Sequence, residues 1–334
     1  MRWLLLTLLL FSAAPSPTLH RRLAIDVGTS SIKVRIADVA EPGRRLSRTV
    51  FQNSYPIPLQ EEIESSGTHE LSKKVKTEVR NVVAQSVQLA RSLGAKEIAA
   101  VATIALENAK NHAALIDDVE KATGVRLTFV TPEEEAAIGF EGAASVSGRS
   151  RYDLVVWDIG GETSEIATLN RRGGYERWES DVASTTFANL VLSEVKRANP
   201  NVVTTPNPLS KEQIDAAVKL AADRVQEISP AIRQKISGYN SSVMGIGAIA
   251  FLALDSLGPT HTFDEIKSSL YAKADLKDSQ FLSPFPQHMV TNLALVVGIM
   301  EALDIRQITL EVADLTTGLV LMPQYLKPLP ATAP

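Results

Sequence analysis

Hydrophobic and polar positions follow a pattern that occurs twice along the chain. In residues 23–34 an apolar run ends in Asp26, glycine and hydroxyl residues follow, and a second apolar run begins; residues 155–166 repeat this order around Asp158. An apolar run, a glycine-containing turn and a second apolar run are typical of a β-hairpin. The two aspartates are separated by about one domain length. The repeat therefore predicts two similar domains that face each other across a cleft.

The hydrophobic period along the rest of the chain predicts alternating helices and strands. Helical spacing predicts helices over residues 71–93, 110–123, 185–197, 210–236, 289–303 and 315–326, and apolar runs predict strands over 97–105, 125–130, 242–249 and 307–312. A further helix begins after Thr131, because Pro132 stands at the first helical position and Glu134 completes a capping box. Helices that alternate with strands, beside antiparallel hairpins, indicate an α/β fold with a mixed sheet in each half.

Composition excludes several classes of protein. The 334 residues are 45% apolar and 22% charged, which is enough to bury a sizeable core and to form two domains. The formal net charge of −4 gives no electrostatic basis for non-specific nucleic-acid binding. Cysteine is absent from the sequence, which excludes disulfides, cysteine-ligated zinc, thiol catalysis and a lipoprotein anchor.

Both ends of the chain differ from the rest. Residues 1–20 contain an arginine, an apolar stretch of about ten residues and then small residues, which is typical of a secretory signal peptide. Export, with or without retention by an uncleaved membrane anchor, is the favoured interpretation. A mis-assigned start or a buried N-terminal helix is the alternative, and the protein is then cytoplasmic. The proline-rich residues 328–334 predict a disordered tail.

The two predicted hairpin turns carry groups that suit phosphate and a divalent cation. Backbone amides in a glycine-rich turn can wrap a phosphate, and an adjacent aspartate can hold Mg²⁺ through water. Glycine and hydroxyl residues are also ordinary components of hairpin turns that bind nothing. The turns alone therefore leave both interpretations open.

Four segments, taken in order, resemble the exopolyphosphatase/guanosine pentaphosphate phosphohydrolase (Ppx/GppA) family, which belongs to the actin-like, sugar-kinase and chaperone-ATPase superfamily. The segments are residues 25–33 (IDVGTSSIK), 102–111 (ATIALENAKN), 130–136 (VTPEEEA) and 158–165 (DIGGETSE), with a weaker fifth at 244–249 (MGIGAI). The resemblance implies two ribonuclease H-like (actin-like ATPase) domains with mixed sheets that flank an interdomain cleft. The expected domains cover residues 21–131 and 132–327.

The resemblance also implies roles for particular residues. Glu135 matches the family's catalytic base, a carboxylate that orients a water for in-line attack on phosphorus. Asp26 and Asp158 match the carboxylates that face Mg²⁺ or its water shell, and Glu165 matches a third acidic group beside them. The alternatives are glutamates that merely favour a helix N-terminus and aspartates that bond their own turn. The candidate phosphate-binding residues are Gly28, Thr29, Ser30, Ser31, Lys33, Gly160, Gly161 and Thr163.

Three of these segments depart from the family's pattern. Glu107 stands where the family has an arginine, Glu162 replaces the third of three glycines, and the late loop ends in Ala248-Ile249 instead of Gly-Thr. Negative charges thus occur at positions expected to face a polyanion. A like-charge contact at about 4 Å costs roughly 4 kcal/mol at an effective dielectric near 20. Either the substrate differs from the family's substrates or activity has been lost.

These observations lead to one hypothesis and two alternatives. The hypothesis is a Mg²⁺-dependent phosphoanhydride hydrolase that releases terminal phosphate from inorganic polyphosphate or guanosine pentaphosphate. The first alternative is a catalytically impaired relative that binds a ligand or partner through the same cleft. The second is an actin-like ATPase or kinase, which the lack of a recognisable adenosine-binding segment disfavours. The expected partner is a polyphosphate or other phosphoanhydride ligand and not nucleic acid; a homodimer and a membrane tether stay open.

Overall fold

The computed structural model describes residues 18–331 with the exception of 43, 44, 226, 227, 253, 255–257 and 284. The strands, in chain order, are β1 (Thr18–Val27), β2 (Ser31–Glu41), β3 (Arg45–Pro56), β4 (Glu97–Thr103), β5 (Thr128–Val130), β6 (Leu154–Ile159), β7 (Ser164–Leu169), β8 (Tyr175–Ser180), β9 (Ser242–Gly247), β10 (Thr260–Thr262), β11 (Gln307–Leu310) and β12 (Lys327–Pro328). The helices are α1 (Leu59–Ser65), α2 (Lys73–Ser92), α3 (His112–Thr123), α4 (Pro132–Ser147), α5 (Ser184–Leu190), α6 (Lys211–Asp223), α7 (Pro230–Ile236), α8 (Phe263–Lys273), α9 (Met289–Ala302) and α10 (Leu315–Leu319).

Two sheets repeat one topology, and each belongs to one lobe of the molecule. Lobe I comprises residues 18–131 and 315–331, and lobe II comprises residues 132–314. In lobe I, β1, β2 and β3 form an antiparallel meander, β4 lies parallel beside β1, and β5 lies parallel beside β4. In lobe II, β6, β7 and β8 form the same meander, β9 lies parallel beside β6, and β11 lies parallel beside β9. The α/β fold with a mixed sheet in each half is confirmed.

Two helices cross between the lobes and pack against each other. α4 follows β5 of lobe I in the chain, but its buried residues Ala136, Phe140 and Ala143 pack on the sheet of lobe II. α10 follows β11 of lobe II and packs on β1 and β2 of lobe I. A Cβ at Gly318 of α10 would overlap the carbonyl oxygen of Ile138 in α4, so the two helices meet backbone against backbone. This crossing joins the two lobes.

The helix predicted over residues 210–236 is wrong as a single helix. α6 ends at Asp223, and α7 begins at Pro230. The Ser229 side chain accepts a hydrogen bond from the amide of Ile232, and a proline at the first helical position favours a helix start. A second N-cap inside the apolar pattern therefore divides the helix.

The helix predicted over residues 315–326 is also wrong in length, because α10 ends at Leu319. Pro323 follows closely, and the residue before it, Met322, has an extended conformation. A proline disfavours helical geometry in the residue that precedes it. Because α10 is short, the chain turns after it and pairs with β4 of the same lobe.

The two ends of the chain have different outcomes. The start of the expected disordered tail over 328–334 is bonded to lobe I. β12 pairs with β4, and the amide of Leu329 donates to the carbonyl oxygen of Lys96 at 2.8 Å. Residues 332–334 of this tail lie outside the described residues. Residues 1–17 of the predicted signal peptide or anchor also lie outside them, whereas residues 18–20 begin β1. Within the described part of the chain, no helix is both long and apolar enough to cross a bilayer.

Candidate active site

The two hairpin loops are closed by the same hydrogen bond. In lobe I the amide of Gly28 donates to the carbonyl oxygen of Ser31 at 3.0 Å. In lobe II the amide of Gly160 donates to the carbonyl oxygen of Thr163 at 2.9 Å. The closing bonds use only the amides of Gly28 and Gly160, and the amides at the tips of the two loops take no part in them. The predicted hairpins are confirmed, and their turns can present backbone donors to an anion.

The two loops lie face to face at the junction of the lobes. A Cβ placed on Gly161 would lie 3.8 Å from Ser30 Oγ, so the lobe II loop lies close to the lobe I loop. The structure therefore brings one set of candidate phosphate-binding residues together from both lobes. The set on the loops comprises Gly28, Thr29, Ser30, Ser31, Gly160, Gly161 and Thr163.

In both lobes the segment after the third meander strand donates a backbone hydrogen bond to the hairpin loop between the first two strands. The amide of Gln60 donates to the carbonyl oxygen of Thr29 at 3.0 Å in lobe I. The amide of Thr185 donates to the carbonyl oxygen of Gly161 at 2.8 Å in lobe II. The loops are thus fixed through their carbonyl groups, which supports preorganisation of the amides on the other side of the same peptides.

Asp26 lies near the end of β1, opposite Lys33 of β2. Asp26 is only 3% exposed, and its Oδ2 lies 4.0 Å from Lys33 Nζ. Its Oδ1 has no hydrogen-bond partner among the described residues. Burial raises the pKa of Asp26 to about 6, against the lowering effect of Lys33. Asp26 therefore offers a buried carboxylate oxygen that a ligand can satisfy.

Asp158 occupies the equivalent position in β6, but it faces Glu165 of β7 instead of a lysine. Burial raises the pKa of Asp158 to about 6. Burial, and then the negative charge of Asp158, raises the pKa of Glu165 to about 8. Gly247, at the end of β9, has a φ of +74°, and a Cβ there would overlap Asp158 Oδ1. The late glycine-rich loop thus packs directly on this carboxylate.

Glu135 lies in the first turn of α4, whose predicted capping box is formed. Burial, and then the negative charges of Asp26, Glu165 and Asp158, raise the pKa of Glu135 to about 8. Lys33 acts in the opposite direction on the same carboxyl. Carboxylates from β1, β6, β7 and α4 therefore share one electrostatic environment at the junction of the lobes.

Asp314 belongs to the same cluster, although the sequence analysis does not include it. Asp314 caps α10 by accepting a hydrogen bond from the amide of Thr317 at 3.2 Å, and it lies 3.5 Å from Arg35 Nη2. Burial would raise the pKa of Asp314, but the charges of Arg35 and then Lys33 hold it below its ordinary value. The available signal was the Asp-Leu-Thr-Thr sequence at the start of a predicted helix, which is typical of an N-cap.

Arg177 of β8 is a second residue absent from the sequence-based set. Its guanidinium contacts Glu179 at 2.6 Å and Glu133 at 2.9 Å, and it lies 3.9 Å from Glu165. The contacts place a positive charge beside the acidic pair of lobe II. No local pattern links Arg177 to the site, because Glu165 of β7 and Glu133 of α4 meet it only in the folded chain, and its local partner Glu179 gives no sign of them.

The two glutamates that depart from the family's pattern have different surroundings. Glu107 lies on the 3₁₀ segment Ile104–Asn108 and is exposed. Glu162 is half-buried in the lobe II loop, and burial, followed by the charge of Glu64 in lobe I, raises its pKa above the ordinary value. Like charges from opposite lobes therefore approach each other beside the loops.

The donor set fits a magnesium ion that is held by few protein ligands. Among residues 18–331 as described, no group of three or more His, Cys, Asp or Glu side chains is placed to hold a metal ion. Mg²⁺ is usually bound by one or two carboxylates and completes its shell with water and substrate phosphate. Asp26 offers an unpartnered carboxylate oxygen, and Asp158, whose charge acts on Asp26, is a second carboxylate with Glu165 opposite it.

The profile of the Ppx/GppA phosphatase family matches residues 36–254, which is more than half of the chain. The chain belongs to the Ppx/GppA phosphatase family. Exopolyphosphatase 1 of Mycobacterium bovis is 26% identical over 144 residues, which are 43% of this chain and 41% of that protein. Exopolyphosphatase 2 of Mycobacterium tuberculosis is 26% identical over 221 residues, 64% of each chain. The chain thus aligns with less than two thirds of the length of these relatives.

Solved structures of this family share the fold. The Ppx/GppA family member of Aquifex aeolicus superposes with a TM-score of 0.72 at 15% identity and covers 91% of this chain and 97% of its own. An exopolyphosphatase from Cytophaga hutchinsonii superposes with a TM-score of 0.66 at 12% identity and covers 90% and 96%. The predicted two-domain actin-like fold is confirmed.

Proposed function

We propose that the chain is a Mg²⁺-dependent phosphoanhydride hydrolase that releases terminal phosphate from inorganic polyphosphate, with guanosine pentaphosphate as the second candidate substrate. One observation carries the proposal: Asp26 and Asp158, at equivalent positions of a duplicated hairpin, share an electrostatic environment with Glu135 where the two loops meet. Membership of a phosphatase family and relatives named exopolyphosphatase support the same activity.

The loops would bind the phosphate end of the substrate. Amides at the tips of the loops, the hydroxyls of Ser30 and Thr163, and the ammonium group of Lys33 are the donors available for phosphate oxygens. Asp26 and Asp158 would hold Mg²⁺, which supplies positive charge that neutralises phosphate oxygens. The positive charge of bound Mg²⁺ would oppose the rise in the pKa of Glu135 and favour its carboxylate form. In that form Glu135 would orient a water molecule for in-line attack on the terminal phosphorus and accept its proton.

Polyphosphate is preferred over guanosine pentaphosphate because of the proposed location. We infer export from the apolar N-terminal segment, and guanosine pentaphosphate is a cytoplasmic nucleotide. Inorganic polyphosphate carries the same phosphoanhydride bond and needs no base-binding pocket.

A catalytically impaired binding protein is the second candidate function. The observations that favour it are the like charges of Glu162 and Glu64 beside the loops and the exposed Glu107 in place of an arginine. Such a protein would bind a polyanion or a partner in the cleft without hydrolysis.

The test is phosphate release by the full chain with Mg²⁺, beside the Glu135→Gln variant. We expect Glu135→Gln to lower release by about 10²- to 10⁴-fold, the contribution of a positioned general base. Glu133→Gln is the matched control, because it makes the same substitution in the same helical turn at a side chain that is 72% exposed. Chelation of Mg²⁺ should abolish release, and added Mg²⁺ should restore it.

Three other outcomes would lead to different conclusions. Release that survives Glu135→Gln would contradict the assignment of the base. Equal losses in Glu133→Gln and Glu135→Gln would indicate a general electrostatic effect of the helix start. A folded protein that binds polyphosphate and releases nothing would support the binding function instead.

A further inference from the structure

A surface cavity of about 450 Å³ lies at the end of lobe I away from the hairpin loops. β1 begins at this cavity and ends at the loop, so the two sites are separated by roughly 20 Å at about 3.3 Å per residue. The residues that matter in its lining are Leu19, His20, Arg21, Asp38, Arg48 and Lys96. None of them belongs to the candidate active site.

Three neighbouring strands and the segment before β4 place the charged residues of this cavity. Asp38 of β2 lies opposite Arg21 of β1 and Arg48 of β3 in the register of the sheet. The amide of Lys96 donates to the carbonyl oxygen of Arg21 at 3.1 Å. Main-chain pairing therefore determines where these charges lie.

The cavity carries an excess of positive charge. Asp38 is buried and accepts hydrogen bonds from Arg21 at 2.7 and 3.0 Å and from Arg48 at 2.8 Å. The lining thus contains one carboxylate and three basic side chains, of which Lys96 is exposed and the Arg48 side chain is 65% exposed. The local excess contrasts with the formal net charge of −4 of the whole chain.

We propose that this cavity binds the phosphate groups of anionic phospholipids. Guanidinium and ammonium groups bind phosphate through charge-assisted hydrogen bonds. At the rim, Leu19 is 55% exposed, so an apolar side chain lies next to the cations, as expected at a membrane interface. His20 completes the rim, with Nδ1 3.9 Å from a carboxylate oxygen of Glu97.

The lining residues of β1 follow the apolar N-terminal run closely in the sequence, which favours a lipid as the ligand. The apolar run of residues 3–11 ends eight residues before Leu19, and such a segment spans at most about 29 Å. A bilayer that holds the apolar run is therefore within reach of the cavity. Basic residues close to a membrane-inserted segment are attracted to anionic headgroups. The hairpin loops, at the opposite end of β1, would then face the aqueous phase.

The test is binding of the full chain to phosphatidylcholine vesicles with and without phosphatidylglycerol. We expect phosphatidylglycerol to increase binding, and the Arg48→Ala/Lys96→Ala double variant to lose about 25-fold of this increase, at about five-fold per cation. Lys211→Ala/Lys219→Ala removes the same charge from exposed positions of α6 in lobe II and is the matched control. High ionic strength should reduce the increase in the unmodified chain.

Because Arg48 also bonds Asp38, the double variant can lose binding through a loss of stability. The single variant Lys96→Ala leaves that bond intact and should lose about five-fold of the increase in binding with phosphatidylglycerol. An equal increase in the unmodified chain and the double variant, or no increase with phosphatidylglycerol, would overturn the proposal. Calorimetry with inorganic phosphate distinguishes a free anion: saturation of the cavity by phosphate without any response to phosphatidylglycerol would overturn the lipid assignment. None of these measurements depends on hydrolysis, so the proposed enzyme activity can fail or hold independently.

Discussion

The first hairpins of lobe I and lobe II share a backbone, but different charges face their aspartates. Asp26 faces Lys33, and Asp158, at the equivalent position, faces Glu165. The duplicated hairpin therefore sets where each carboxylate lies, whereas the facing residue decides whether its charge is balanced within the lobe. Lobe I contains its own counter-ion, and lobe II presents two neighbouring carboxyl groups.

The difference has a consequence for where a cation is needed. In lobe I, Lys33 lies 4.0 Å from Asp26. In lobe II, the nearby guanidinium of Arg177 is 3.9 Å from Glu165 and also contacts two other glutamates. Like charges raise each other's pKa unless a cation balances them. The acidic pair of lobe II is therefore the part of the site that gains more from a bound cation.

The largest effect is expected from Glu165→Lys, which makes the lobe II hairpin resemble that of lobe I. The new ammonium group would pair with Asp158 and compete with the cation, so phosphate release should fall at least about 100-fold while the protein stays folded. Glu212→Lys is the control, because it makes the same substitution at an exposed position of α6 in the same lobe. Release within a few-fold of the unmodified chain would show that lobe II does not need its negative pair.

A smaller effect, on stability, is expected from Lys33→Met, which removes the counter-ion of lobe I and keeps the length of the side chain. Partial desolvation lowers the pKa of Lys33, but the negative charges of Asp26, Asp314 and Asp158 outweigh it, so the net pKa is raised. Breaking a buried pair costs about 3–5 kcal/mol. Because the Lys33 side chain is 39% exposed, the expected loss in the free energy of unfolding is about 2 kcal/mol.

Urea denaturation of Lys33→Met measures this loss, and Lys110→Met, at an exposed lysine on the same lobe, is the control. Lys33→Arg should retain most of the stability because it keeps the charge. If Lys33→Met and Lys110→Met were equally stable, Lys33 would not balance the buried carboxylates.

The same comparison shows which features the sequence could predict. Local signals were sufficient for the hairpins around Asp26 and Asp158 and for the helix start at Thr131, because turns and caps depend on neighbours in the chain. Asp314 and Arg177 were missed because they reach the carboxylates through tertiary packing: α10 returns from lobe II to lobe I, and β8 contacts the start of α4. Helical periodicity also continued past Ser229, where a second cap divides the helix.

The smallest effect is expected at the ends of the same hairpins that lie away from the loops. At this end a charged side chain accepts the hydrogen bonds in lobe I, and a neutral side chain accepts them in lobe II. Asp38 bonds Arg21 and Arg48, whereas Asn170, at the equivalent position, accepts from the amides of Arg172 and Gly174 through a neutral side chain. We expect Asp38→Asn to lower the free energy of unfolding at neutral pH by about 1.5 kcal/mol, the contribution of a hydrogen bond to a charged group.

This loss should depend on pH in a direction that the pKa of Asp38 determines. The hydrogen bond from Arg21 lowers the pKa of Asp38, burial opposes this, and Arg48 lowers it further, so the net pKa lies below the ordinary value. A lowered native pKa means that the stabilisation is complete above the unfolded value of about 3.9 and is lost as the pH falls through the native value. Urea denaturation should therefore show the full difference in the free energy of unfolding between Asp38→Asn and the unmodified chain at neutral pH, and a smaller difference in acid. Asn170→Ala is the control, and its loss of stability should not follow the titration of an aspartate. A constant difference for Asp38→Asn would mean that hydrogen-bond geometry, and not charge, holds this end of lobe I.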